Sequence, residues 1–254
     1  MQNFDLHVHS TFSDGNNTIE DIVKEAISRG LVKIGISDHS YTSFDESYCI
    51  SKININKYID EIKALRKKYK DKIEVLCGIE QDFYSLESTS NFDYVIGSVH
   101  YIKIDDDYIP VDESADILKR AADKYFSGNI YGLIDLYYKT VADVVDKTNA
   151  DIIGHFDLIT KFNENSSLFN EYDERYINSF KYAADKLVLS NKVFEINTGA
   201  ISRGYRSSPY PSKPIFEYLR KKGAKFILSS DSHCVDTLCF KFDDNLYNKK
   251  NATD

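Results

Sequence analysis

Apolar and polar residues alternate through Asp5, Leu6, His7, Val8 and His9, the period of an extended strand with one buried face. That register points Asp5, His7 and His9 to one side. Asn17 to Asp21 then reads as a helix start, with Thr18 as the cap and acids in the first turn. Ile22, Val23, Ala26 and Ile27 continue an apolar stripe that stops near Gly30. The same alternation of short apolar run and amphipathic stretch continues down the chain. Further strands are predicted over 33–37, 73–79, 94–99, 151–154, 192–197 and 225–230. Helices are predicted over 56–69, with Asn56 as its cap, and over 115–126, 133–148, 172–189 and 214–222.

Seven strands alternating with helices predict an α/β fold with a parallel sheet, and their near-cyclic spacing predicts a barrel. Such barrels carry their chemistry at the C-terminal ends of the strands. Chemically capable residues fall at those ends one after another: His7 and His9, His39, Glu80, His100, His155, Asn197, then Asp231 and His233. All six histidines of the chain are in that set. Two imidazoles two residues apart on one strand face can grip one cation, while a neighbouring carboxylate orients a ring nitrogen from behind. Asp5 and Asp38 are the candidates for that supporting role. Tyr125, Tyr131, Tyr137 and Tyr138, in or beside the predicted helices of the 101–149 interval, have the spacing of helix core.

Composition narrows the function. A chain of 254 residues with 42% hydrophobic content is expected to form one large domain over 1–254 with a substantial core. A net charge of −8 without a dense Lys/Arg cluster speaks against nucleic-acid binding, although a small anion needs only one or two local cations. No apolar run approaches the ~20 residues of a membrane span, and the strand pattern begins at once, so a soluble cytoplasmic protein is expected. The four cysteines, Cys49, Cys77, Cys234 and Cys239, have no Cys-X-X-Cys spacing and read as reduced thiols. There is no Gly-rich phosphate loop and no serine nucleophile elbow.

The residues at the strand ends also carry a resemblance. His7-Val8-His9 with Ser13-Asp14 close behind, Asp38-His39, Gly78-Ile79-Glu80, Gly97-Ser98-Val99-His100, Gly154-His155-Phe156-Asp157 and Ser230-Asp231-Ser232-His233 resemble the motifs of the polymerase and histidinol phosphatase (PHP) superfamily. Within it, the run from Gly154 to Phe162, Glu195-Ile196-Asn197-Thr198-Gly199, Arg203 and Tyr210-Pro211-Ser212 resemble the histidinol-phosphatase branch. The likeness extends to about His233. Residues 234–254 are shorter and more polar than the family's usual closing structure, with Phe240, Phe242, Leu246 and Tyr247 able to form an amphipathic turn or two.

The resemblance implies a distorted (β/α)7 barrel with three divalent metal ions, zinc, manganese or iron, at its mouth. It implies that His7, His9, Glu80 and Asp231 hold the first ion, and that Glu80 bridges to a second completed by His100 and His155. Asp14, His39 and His233 would hold the third, although an Asp beside Gly15 also suits a plain turn. The implied reaction is hydrolysis of L-histidinol phosphate to L-histidinol and inorganic phosphate. Its expected course is in-line attack by a hydroxide shared between two ions, with Glu80, Asp231 and His233 as catalytic residues. Another small phosphomonoester or a nucleotide is the alternative substrate, and a metal-stabilised binding module is the alternative outside enzymes. Arg203 is expected to clamp phosphate through two parallel hydrogen bonds, with Lys161 and then Arg206 as further candidates. Glu195 and Asn197 share a strand face and are expected to line the site, where Glu195 meets either a substrate amine or a lysine inside the barrel.

Overall fold

The computed structural model describes residues 2–242 and 246–247. Each expected strand forms: β1 (Phe4–Asp5), β2 (Lys33–Ile36), β3 (Glu74–Asp82), β4 (Tyr94–Ser98), β7 (Ile152–Ile153), β8 (Val193–Asn197) and β9 (Lys225–Ser229). A hairpin that the hydrophobic pattern does not predict, β5 (Tyr101–Ile104) and β6 (Asp107–Pro110), interrupts them. The seven parallel strands lie in the order β1-β2-β3-β4-β7-β8-β9. Main-chain bonds bring the two edges together, from His9 N to Ser232 O at 2.8 Å and from Ser232 N to His7 O at 3.2 Å. Lower on the same seam a side chain replaces the ladder: Gln2 Nε2 donates to Leu228 O at 2.7 Å, and Leu228 N donates to Gln2 Oε1 at 2.9 Å.

β1 is shorter than the alternation suggests. Regular pairing stops at Asp5 and resumes as a single bridge between Val8 and Ser232. Asp5 therefore does not share a face with His7 and His9, and its carboxylate accepts from Ser230 N at 3.2 Å and Cys239 N at 3.0 Å. Leu6, Leu76, Tyr94, Ile96, Ile152 and Ile227 form the floor of the barrel interior. Tyr94 crosses this floor and donates to Leu6 O at 2.6 Å. A Cβ at Gly35 or Gly78 would overlap the Tyr94 side chain, so these two glycines leave the space that the ring fills.

Outside the sheet, α1 (Ile19–Ser28) and α2 (Ile55–Tyr69) pack one apolar layer on β2 and β3. A larger layer comes from α3 (Ala115–Phe126), α4 (Ile130–Ala142), α6 (Glu174–Val188) and α8 (Lys213–Lys221). Tyr137 and Tyr138 are buried in it, as their spacing predicts. Thr18 caps α1, its hydroxyl accepting from Asp21 N at 3.2 Å. Asn56 caps nothing, because a 3-10 turn over Lys52–Asn54 leads straight into α2 and places Asn56 inside its first turn. The single helix expected over 133–148 is two, α4 and α5 (Val144–Thr148), parted at Asp143, whose φ of −102° and ψ of 0° turn α5 onto β4. A single turn, α7 (Gly199–Ser202), follows β8.

In the tail, Phe242 is buried in the larger layer and Tyr247 stacks on Phe216 with ring centres 4.8 Å apart. The remaining tail residues, 243–245 and 248–254, lie outside the described residues. No described helix is long and apolar enough to cross a membrane.

Candidate metal centre

Strand parity builds the site. Leu76 and Glu80 are four residues apart on β3 and face the same side, so Glu80 stands above the apolar floor to which Leu76 belongs. Five imidazoles surround its carboxylate. His39 Nδ1, His7 Nε2 and His9 Nε2 lie 2.9, 3.2 and 3.5 Å from Oε2. His155 Nε2 and His100 Nε2 lie 2.8 and 3.5 Å from Oε1, which also accepts from Ser98 Oγ at 2.5 Å. Each comes from the C-terminal end of a different strand, except His7 and His9, which share β1.

The sixth imidazole belongs to an outer rim. His233 Nε2 lies 3.2 Å from Asp14 Oδ2, while His9 Nδ1 and His39 Nε2 each lie 3.7 Å from Asp14 Oδ1. The loop that carries Asp14 is fixed by Asp38, which accepts from Ser10 N at 2.7 Å, from Ser10 Oγ at 2.6 Å and from the Ser13 hydroxyl. Gly15 is required there because a Cβ would overlap the His9 carbonyl. Asp231 follows β9 with a left-handed φ of 49°, a conformation Asp tolerates better than most residues. Its Oδ1 lies 3.3 Å from His9 Nε2, and its Oδ2 accepts from Arg203 at 2.9 Å.

The electrostatics suit cation binding. Burial disfavours the charged form of Glu80, but His39, His7 and His100 outweigh it and hold the carboxyl well below its usual range. Asp231 is likewise pulled down, against burial, by Arg203 and His7. Burial, with His233 and His39 alongside, lowers His9 to about 3, which leaves a neutral imidazole able to donate its lone pair. His39 is raised to about 9, because Glu80 and Asp14 overcome its burial. Six buried polar atoms of the cluster, His7 Nε2, both His9 nitrogens, Glu80 Oε2, His100 Nδ1 and His155 Nδ1, have no hydrogen-bond partner among the described residues. Several sit at ion-pair distance from a carboxylate yet outside hydrogen-bonding geometry, the arrangement of donors aimed at a common cation rather than at each other. Three overlapping sets could each hold an ion: His7, His9 and Glu80; His39, Glu80 and His100; and His9, Asp14, His39 and His233. Imidazole and carboxylate donors in such sets fit zinc, manganese or iron.

The cluster opens into a cavity of about 360 Å³ lined also by Arg203, Lys161, Tyr48, Tyr101 and Tyr205. Several expectations are corrected here. Glu195 is buried, lines no part of the cavity and pairs with no lysine among the described residues; its Oε1 lies 2.6 Å from His7 Nδ1 and its Oε2 accepts from His155 N at 2.9 Å. Asn197 is also buried, its amide 3.2 Å from Glu195 Oε2 and 3.4 Å from Asp231 Oδ2. Glu195, not Asp5 or Asp38, is thus the carboxylate behind His7; Asp5 and Asp38 serve main-chain amides and hydroxyls. Arg206 is buried away from the cavity against Thr160, Ser208 and Asp157. Lys161 faces the cavity but holds Asp112 at 3.3 Å. Arg203 lines it with both terminal nitrogens on Asp231. Asp82, 3.5 Å from His100 Nδ1, escaped the pattern, although its place two residues after Glu80 on β3 was the available signal.

Fold and donor set together define a parallel α/β barrel with a metal-capable mouth. The chain belongs to the PHP domain family, which matches it over residues 5–199. A Schizosaccharomyces pombe protein assigned as a histidinol-phosphatase is 29% identical over 241 residues, covering 85% of this chain and 74% of that one. The fold is that of a Listeria monocytogenes protein assigned as a histidinol phosphatase, with a TM-score of 0.76 at 19% identity over 92% of this chain and 96% of that one. It is also that of the Lactococcus lactis histidinol phosphate phosphatase complexed with zinc, L-histidinol and phosphate, with a TM-score of 0.63 at 24% identity over 92% and 87% of the two chains.

Proposed function

We propose that the protein is a metal-dependent phosphomonoesterase that hydrolyses L-histidinol phosphate to L-histidinol and inorganic phosphate, a step of histidine biosynthesis. The observation that carries this reading is the convergence of five imidazoles on the one carboxylate of Glu80, beneath an open cavity. The likeness to the histidinol phosphatases above supports the substrate. His7, His9, Glu80 and Asp231 would hold one ion; Glu80, His100 and His155 a second; Asp14, His39 and His233 a third. His9 stands between the first set and the third. Divalent cations held there would supply an activated water and would neutralise charge on the phosphoryl oxygens.

The chain's own residues set the stage for that chemistry. Glu195 Oε1 lies 2.6 Å from His7 Nδ1 and would keep a proton on that nitrogen, so that Nε2, 3.2 Å from Glu80, would be the one to give its lone pair to a cation. Asp38 holds the Ser10–Asp14 loop so that Asp14 meets His233. Arg203 is a charged donor at the cavity wall beside Asp231, suited to orient a phosphoryl oxygen. The test is phosphate release from L-histidinol phosphate, nucleotides and inositol phosphates, with elemental analysis of protein purified without added metal. Preferred turnover of L-histidinol phosphate by metal-containing protein is expected. No release from it with zinc, manganese or iron supplied would overturn the reading.

A further inference from the structure

The turn that carries Arg203 also sends an arginine inward, where it can touch no substrate. Gly204, at a φ of 75°, reverses the chain after α7, and the amides of Tyr205 and Arg206 both donate to Ala200 O, at 2.9 and 3.2 Å. Tyr205 is thereby left on the cavity rim, while Arg206 is 8% exposed behind it. The Arg206 guanidinium reaches the turn that follows β7. One terminal nitrogen donates to the Thr160 hydroxyl and lies 4.0 Å from Asp157 Oδ2, and the other donates to Ser208 Oγ at 3.3 Å. The Thr160 hydroxyl donates onward to Asp157 O at 2.7 Å, and Asp157 Oδ2 accepts from Ser212 N at 2.9 Å. Arg206, Thr160 and Asp157 thus form a buried tie between the loop after β7 and the loop after β8.

This tie is a poor device for stability alone. The carboxylate stands at the outer limit of an ion pair, and Arg206 Nε has no hydrogen-bond partner among the described residues. A buried charge so incompletely matched favours a fold less than an apolar side chain of similar volume would. What the tie does is fix a geometry. Thr160 is followed by Lys161, whose side chain lines the cavity together with Arg203. Lys161 Nζ lies 4.8 Å from the centre of the Tyr205 ring, and Phe162 meets that ring edge-on at 5.7 Å. Arg203 and Lys161 therefore stand on two loops joined at the rim by Tyr205 and beneath it by Arg206. Lys161 holds Asp112 at 3.3 Å, but an ammonium carries more donors than one carboxylate takes.

We infer that Arg206 is a positioning residue for phosphate binding: by tying the turn after β7 to the loop after β8, it sets Lys161 at a fixed distance from Arg203 on the cavity wall. Arg206 acts through Lys161 and touches neither substrate nor metal. The inference rests on the phosphomonoesterase reading of the site.

The experiment titrates inorganic phosphate calorimetrically into metal-containing wild type, Arg206→Lys and Arg206→Met/Asp157→Asn, each with and without Lys161→Ala. The double change removes both buried charges together, so neither is left unpaired. A lysine at 206 keeps the charge but donates from one point, and cannot hold Thr160 and Ser208 as the guanidinium does. With Lys161 present, Arg206→Met/Asp157→Asn should weaken phosphate about tenfold and Arg206→Lys roughly threefold, with KM for L-histidinol phosphate rising in step and kcat falling less. With Lys161→Ala, the same changes should move phosphate affinity by less than about twofold, because the group they position is gone. Metal content by elemental analysis should be equal throughout. If the double change does not fold, Arg206→Lys carries the same comparison. An affinity unmoved by either change, a loss of equal size with and without Lys161, or a loss that follows metal content overturns the inference. If phosphate binds but no ester turns over, the phosphatase reading falls, and the coupling between Arg206 and Lys161 is still read from the titrations. A wild type that binds no phosphate overturns the inference outright.

Discussion

Glu195 lines no part of the cavity, yet it touches two of the imidazole-bearing segments, at His7 Nδ1 and at His155 N. Burial of His7 opposes its protonation, and Glu195, Glu80 and Asp231 more than reverse that. Replacing Glu195 with Gln keeps the volume but removes the charge that fixes the ring. Metal affinity is expected to fall about 10- to 100-fold, measured by competition with a chelator, with little change in helix content. An unchanged affinity would show that His7 is oriented by other contacts. Asp157, in the same turn as His155, makes a separate prediction. Burial pushes it up to about 6, against the pull of Arg206, from an ordinary value of 3.8. The folded state therefore binds the extra proton between those values, so its contribution to stability is full below about pH 4 and is lost as pH rises through 6. Asp157→Asn cannot titrate. Wild-type stability should fall relative to the variant by on the order of 3 kcal/mol between pH 4 and 7, read from urea unfolding across pH. Parallel curves for the two proteins would contradict the assignment.

At the scale of elements, the floor formed around Tyr94 decides how high the functional side chains stand. Gly78 lies between Leu76 and Glu80 on β3, and the Tyr94 ring occupies the space its side chain would need. Gly78→Ala should cost about 1–3 kcal/mol by overpacking, measured by chemical denaturation. Because the strain bears on β3 two residues before Glu80, metal affinity should fall with it; a loss of stability with intact affinity would mean that the floor and the cluster are mechanically separate. The strands and most helices were legible because their apolar periods are long and bounded by Gly, Asp or Asn. The β5–β6 hairpin was not, since its first strand follows His100 without a break and its turn is marked only by Asp105, at a φ of 53°, and Asp106. The imidazoles could be read from strand ends alone. Their supporting carboxylates could not, because the direction of Asp5 depends on where β1 stops pairing, and the partner of Glu195 depends on a strand 188 residues away.

On the scale of the whole molecule, the cluster fastens the barrel at its mouth. His7 and His9 follow β1, His39 follows β2, Glu80 lies on β3, His100 follows β4, His155 follows β7, and Asp231 and His233 follow β9, so six of the seven strands contribute. The seam between β1 and β9 has few main-chain bonds and leans on the Gln2 amide below. Ions bound across the mouth would therefore hold closed the side of the barrel that the ladder holds least. Ligand linkage at 100-fold saturation is worth about 2.7 kcal/mol. Chelation should then lower Tm by on the order of 5–10 °C, and zinc or manganese should restore it. Glu80 joins two of the three donor sets, so Glu80→Gln should lose most of this chelator-sensitive increment, whereas a surface variant such as Leu189→Ala, on an exposed residue after α6, should keep it. A Tm indifferent to chelator in the wild type would mean that the polypeptide alone closes the barrel, and that the imidazoles converge without the ions they are arranged to hold.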